Sequence, residues 1–209
     1  MLMAERPYTG KVISEYIDTM EVPGPDGATF TYTGPVEDRG SFVTVSDTHV
    51  LTNWHVVHSY NFHKGLGQHA KITLVFSDGS TRSATVAKID PIKDLALLEF
   101  TDVLKKPLHR IGIAKTFEPE KLTMGGYQEG VTYEEASADS FELIGPDWFT
   151  FDVLAIEGQS GSPIIDENGL LVGLLWGSDY PTEEVAYGVH VDSIRDFLRG
   201  TGILELKGN

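Results

Sequence analysis

The sequence predicts an all-β protein of two similar halves closed by one helix. Three observations predict it. Short apolar or alternating runs recur from Gly40 to the C-terminal region. Turn-forming residues separate them at short intervals. Helical spacing appears clearly in only one segment, near the end. Many strands, many turns and few helices are the pattern of a barrel or sandwich.

Residues 1–38 are the least regular part and are expected to form an N-terminal extension packing on the β core. Pro23-Gly24-Pro25-Asp26-Gly27 and Gly34-Pro35 mark turns within it. Residues 39–108 form the expected first half. Its strands are Ser41–Val45, His49–Thr52, Lys71–Phe76, Thr81–Ile89 and Leu95–Phe100, and Ser77-Asp78-Gly79-Ser80 closes a hairpin. Lys105 to Arg110, basic with one proline, is the expected link to the second half, residues 109–209. There the strands are Leu122–Met124, Phe141–Ile144, Phe149–Leu154, Pro163–Asp166, Leu170–Trp176 and Val185–Val191. Asp192 is placed to cap a helix whose apolar residues Ile194, Phe197 and Leu198 recur at helical spacing, and Gly200 ends it.

Composition narrows the function. A chain of 209 residues with 41% hydrophobic residues can bury a core without disulfides or metals. It has no cysteine, which excludes thiol catalysis and thiolate zinc sites. The net charge of −15 repels phosphate backbones and anionic membranes, so neither nucleic acid nor membrane is an expected partner. No apolar run is long enough to span a bilayer. The N-terminal MLMAERPYTG lacks the apolar core of a secretory signal. The expectation is a cytoplasmic protein, or one whose signal was removed.

Three residues stand where nucleophilic chemistry needs them. His55 lies in the block Thr52–Val57 that follows directly on a strand, where the sheet positions a histidine and it can still face a cleft. Asp94 precedes the buried run Leu95-Ala96-Leu97-Leu98 and puts a carboxylate at a strand mouth. Ser160 lies in Ile156-Glu157-Gly158-Gln159-Ser160-Gly161-Ser162-Pro163, where glycines permit a sharp turn and close approach of a substrate. A serine hydroxyl is a poor nucleophile until an imidazole takes its proton. A carboxylate on the other ring nitrogen holds the tautomer and stabilises the imidazolium. Backbone N–H groups of Gly158 and Ser160 are the expected oxyanion donors. The order His, Asp, Ser matches chymotrypsin-like folds, and G-x-S-x-G fails because Ser162 stands at its second glycine.

Each residue alone has a plainer explanation. A lone histidine is usually structural, an aspartate before a strand is usually a turn residue, and a serine among glycines is usually a loop. Trp54 and Trp176 have the character of packing residues. His55, His58, His63 and His69 lack a recognised ligand spacing and a cysteine partner, so no metal and no cofactor are expected.

Together these blocks resemble a trypsin-like serine protease, closest to the cysteine-free bacterial glutamyl endopeptidases and HtrA-type proteases. The resemblance rests on Val50–Val57, Asp94–Leu98, Gly158–Pro163 and the block Leu171–Gly177, and it covers about Gly40 to Leu198. It implies two six-stranded antiparallel β-barrels with a C-terminal helix and the active site between them. It implies a serine endopeptidase acting on protein or peptide substrates through an acyl-enzyme. It also places the pocket for the residue before the cut at Leu154, Ala155, Leu175, Trp176, Gly177 and Gly188. No acidic residue stands at Leu154, and Leu175 and Ala155 stand where glutamate-specific relatives use a histidine and a hydroxyl. Apolar walls favour an apolar guest, since an unpaired buried charge is costly. Gln159 replaces the Asp or Asn common before the nucleophile, so it cannot pair as an ion with a newly cut N-terminus. A peptide-binding PDZ domain is not expected after Asn209. Two other functions fit the same residues: an inactive binding module on this fold, and an esterase.

Overall fold

A computed structural model of the protein describes residues 6–23, 27–101, 108–178 and 185–204. Half of the predicted link at Lys105–Arg110, residues 105–107, therefore lies outside the described residues. The chain is mostly β, as the sequence predicts, with a closed six-stranded barrel and a seven-stranded half-barrel.

Strands β1 (Thr9–Pro23) and β2 (Thr29–Thr44) pair antiparallel from Thr9↔Val43 to Pro23↔Thr29. The barrel continues through β3 (His49–Asn53), β6 (Leu95–Glu99), β5 (Thr81–Asp90) and β4 (Ala70–Phe76), and β4 closes onto β1. Much of the segment expected as an N-terminal extension is thus barrel wall. The reason it reads as irregular lies in its inward face. Gly10, Val12, Ser14 and Tyr16 are buried, while the apolar Ile13 and Ile17 face the other way. Period-2 burial is present, but the apolar pattern that would reveal it is scrambled.

The second sheet has the order β8-β7-β11-β12-β13-β10-β9. Its strands are β7 (Leu122–Gln128), β8 (Thr132–Ala138), β9 (Phe141–Leu143), β10 (Trp148–Phe151), β11 (Pro163–Ile165), β12 (Leu171–Ser178) and β13 (Ala186–His190). This corrects the expectation of a second closed six-stranded barrel. The edge strand β9 is three residues long and among the described residues pairs only with β10, so the sheet stays open between β8 and β9. Strand β8 carries no sequence signal because Glu134 and Glu135 interrupt it.

Helix α1 (His58–Gly65) was not foreseen; it buries only Tyr60 and His63. Helix α2 (Val191–Leu198) is the predicted one, with Ile194, Phe197 and Leu198 buried. Its N-cap is His190 rather than Asp192: His190 Nδ1 accepts from the Asp192 N–H at 3.2 Å. Asp192 instead sits in the first turn, where its charge complements the helix dipole.

Three apolar clusters hold these parts. One fills the barrel around Phe42, Val50, Leu74 and Leu98. Another lies under the half-barrel around Phe149, Phe151, Ile164 and Leu175. The third joins Leu51, Leu95 and Leu97 of the barrel to Leu171, Leu174 and Val189 of the second sheet, and α2 seals it. The site between the two halves therefore stands on a shared core.

Candidate active site

His55 and Asp94 meet where β3 and β6 end side by side, Asn53 opposite Leu95. Asp94 Oδ2 lies 2.6 Å from His55 Nδ1, and its Oδ1 accepts from the His55 backbone N–H at 2.8 Å. One carboxylate thus fixes both the ring and the backbone of the histidine. With Nδ1 as the donor in this pair, Nε2 is left as the basic nitrogen. Asp94 is 7% exposed and has φ +51°, a left-handed conformation that costs a non-glycine residue about 1–3 kcal/mol. Its carbonyl repays part of this by accepting from Trp54 N and from the buried Asn53 Nδ2, both at 3.1 Å.

The serine loop is pinned one carbonyl at a time. Glu157 O accepts from Glu129 N at 2.6 Å, and Gly158 O accepts from Ser41 Oγ at 3.1 Å. Gln159 O accepts from both Ser162 N and Ser162 Oγ, and Ser160 O accepts from Ser41 N at 2.7 Å. In a trans peptide the N–H points opposite the C=O. Anchoring the Glu157 and Gln159 carbonyls therefore turns the N–H groups of Gly158 and Ser160 away from those anchors. Neither has an acceptor among the described residues. Glycine is required at two places here. Gly158 has φ +88°, and a Cβ there would stand 2.6 Å from Gly130 N. Gly161 has φ +87°, and its Cβ would stand 2.2 Å from Ser41 O.

Ser160 and His55 line the same cleft, of about 450 Å³. The Ser160 hydroxyl donates to Trp176 O at 3.1 Å rather than to His55. Rotation about Cα–Cβ to another staggered position is needed to redirect it.

The residues predicted for the acyl-side pocket divide. Leu154 and Trp176 are exposed at 45% and 41%, and Gly177 is partly open. Ala155 is buried, and its carbonyl accepts from Ser178 Oγ at 2.8 Å, which ties this segment to β12. Leu175 is fully buried in the core, so its side chain walls no open pocket. Gly188 faces the same core; a Cβ there would come 2.5 Å from the Phe149 ring. Tyr187, which has no distinguishing sequence signal, meets Trp176 edge-on at 5.9 Å, as does Trp148.

Ser41 and Asn53 carry no functional signal in the sequence. Both are small polar residues at full burial, and only tertiary contact shows that they hold the serine loop and Asp94. Among the other histidines, His58 packs edge-on to Trp54, and His63 stacks on Tyr16 and bonds Gln68. No group of three or more potential ligands that could hold a metal occurs among the described residues.

A family model described as trypsin-like peptidase domain matches residues 40–174. The chain belongs to the trypsin-like peptidase family. Its relatives include the serine protease Rv3671c of Mycobacterium tuberculosis, 28% identical over 188 residues, covering 81% of this chain and 44% of that protein. Serine protease HTRA1 of Xenopus tropicalis is 26% identical over 176 residues, covering 78% and 36%. The chain thus spans less than half the length of these relatives. The crystal structure of the active form of the Rv3671c protease superposes with a TM-score of 0.63 at 23% identity, covering 90% of this chain and 79% of that one. An HtrA-type protease, AlgW, with a bound decapeptide gives 0.70 at 19% identity, covering 96% and 64%. These neighbours share the chymotrypsin-like fold. The likeness is to the HtrA type; the glutamyl endopeptidase branch finds no counterpart among these matches.

Proposed function

We propose that this trypsin-like peptidase is a serine endopeptidase in which Ser160 is the nucleophile, His55 the general base and acid, and Asp94 its orienting carboxylate. The observation that carries the proposal is the Asp94 carboxylate gripping His55 at Nδ1 and backbone N–H together, on a cleft shared with Ser160. Ser160 Oγ attacks the peptide carbonyl as His55 Nε2 takes its proton. The N–H groups of Gly158 and Ser160 receive the oxyanion. The tetrahedral species collapses to an acyl-enzyme as His55 gives the proton to the leaving amine. Water then releases the acyl group by the same route. The Ser160–Trp176 bond fits a resting state, since such contacts often tighten only when substrate is bound.

On the acyl side the exposed surface is Leu154 and Trp176 with the partly open Gly177, and Tyr187 and Trp148 around the indole. This apolar, aromatic setting favours cleavage after aliphatic or aromatic residues, and profiling of cleaved peptides that shows mainly charged residues before the cut would reject that preference. A fluorophosphonate should label the protein at Ser160 and fail to label Ser160→Ala. The same substitution should lower kcat by about 10⁶-fold, and Asp94→Asn by about 10⁴-fold. A protein that binds peptides but takes no label would instead be an inactive binding module.

A further inference from the structure

The cleft beside His55 and Ser160 has a chemical character that the catalytic residues do not explain. It is lined by four carboxylates from three parts of the chain: Glu37 and Asp38 of β2, Glu129 of the β7–β8 turn, and Glu157 next to the oxyanion donor Gly158. The one cation there, Arg39, is already held by Glu37, with Nη2 and Nε 2.7 and 3.1 Å from its Oε2. Four carboxylates and one guanidinium leave a net charge of −3. The side chains of Glu129 and Glu157 are exposed and have no ion pair or hydrogen bond among the described residues.

The chemistry says which part of a substrate enters this cleft. The acyl-side residues Leu154, Ala155, Trp176 and Gly177 are absent from its lining, while His55, Val56 and Gly158 are part of it. In the proposed reaction His55 gives its proton to the leaving amine, so the chain after the scissile bond must run past His55 on this side. The volume, about 450 Å³, suits a few residues of extended chain.

We propose that this cleft binds lysine and arginine residues that directly follow the scissile bond, with Glu129 and Glu157 determining the preference. The preferred substrate is then an apolar residue, the cut, and a basic segment. The inference rests on the endopeptidase reading. The carboxylates also place negative potential beside the oxyanion donors, which disfavours acidic residues after the cut. Exposed ion pairs contribute on the order of 1.4- to 5-fold each and are screened by salt. Several together give an expected preference of about tenfold at low ionic strength.

The test uses quenched fluorescent peptides of identical composition. One carries Lys-Arg directly after the cut; its partner carries the same pair at the far acyl-side end. Equal net charge cancels the attraction of both to the acidic molecule as a whole. We expect kcat/KM about tenfold higher for the first, falling toward about twofold in molar salt. In the double variant Glu129→Gln and Glu157→Gln the ratio should approach one. The ratio is internal to each enzyme, so a partly misfolded variant does not distort it. Added argininamide should also intercept the acyl-enzyme more effectively than glycinamide. A wild-type ratio of one, or one unchanged in the double variant, overturns the inference and leaves the endopeptidase reading intact. No cleavage of any peptide together with no fluorophosphonate label at Ser160 overturns both.

Discussion

Gln159 is the residue whose role changes most once the fold is known. The residue is 3% exposed, and its side-chain Oε1 accepts from Ile156 N at 2.9 Å, while its own backbone N–H donates to Ile156 O at 3.1 Å. The carboxamide therefore closes the turn that presents Gly158, using a partner inside the loop. In the proposed reaction this internal hydrogen bond takes the place of an ion pair from a new N-terminus. Gln159→Leu keeps the volume but removes the acceptor and strands the half-buried Ile156 N–H, which costs about 1–3 kcal/mol. The expected result is a fall in kcat/KM of roughly 5- to 150-fold, with a smaller change in thermal midpoint than in activity. Ser41 acts in the same way from the other half. It accepts from Tyr127 N while donating to Gly158 O, so Ser41→Ala should lower kcat with little change in KM. Activity at saturating substrate checks this.

At the scale of elements, α2 carries a titratable cap. Burial pushes the His190 pKa below its usual 6.5, against the opposing pull of Asp192 and Asp147. The ring packs on Phe117 and Phe149, and Nδ1 must be unprotonated to accept from Asp192 N. Below about pH 6.5 the unfolded chain binds this proton more readily than the folded one, so stability falls with falling pH. Above pH 6.5 the contribution is complete. His190→Asn keeps a capping acceptor without the titration. Its melting temperature should be lower at pH 7 through lost packing, but should vary less between pH 7 and 5 than that of the parent.

For the whole molecule, the shared core decides how the halves behave. Leu51 and Leu174 are fully buried in a cluster that spans barrel, half-barrel and α2. Leu174→Ala should cost about 2–5 kcal/mol and shift one cooperative transition downward, without splitting it into two. Calorimetry distinguishes these outcomes. The N-terminal approach to β1 is tied across the same boundary, Arg6 to Glu135 of β8, with Nε and Oε1 2.5 Å apart. Burial alone would raise the Glu135 pKa; the hydrogen bonds from Arg6 and Tyr133 more than offset this and hold it below the usual carboxylate range. That stabilisation is present above about pH 4.5 and is lost on acidification. Arg6 is 42% exposed, so solvent screening limits the expected loss in Glu135→Gln to about 1 kcal/mol, measurable by denaturant titration at pH 7.

Local order was legible in the chain because local chemistry produces it. Alternating and apolar runs specified β3 to β6 and most of the second sheet; helical spacing specified α2; and Gly158, Ser160 and Gly161 specified a tight turn, with a histidine, an aspartate and a serine in the order that nucleophilic catalysis uses. β1 is hidden in the sequence because its inward face includes Gly10 and Ser14, and Leu175 is buried in the cluster that also holds Phe149 instead of standing on a pocket wall, which its own strand does not reveal. What only the folded chain decided are relations between distant segments: Asp94 on two atoms of His55, Ser41 across to the serine loop, the sheet left open at β9, and four carboxylates gathered around one cleft. Periodicity reports which way each residue points along its own strand. It holds no record of what the neighbouring strand brings alongside, and the chemistry of this cleft is made of such neighbours.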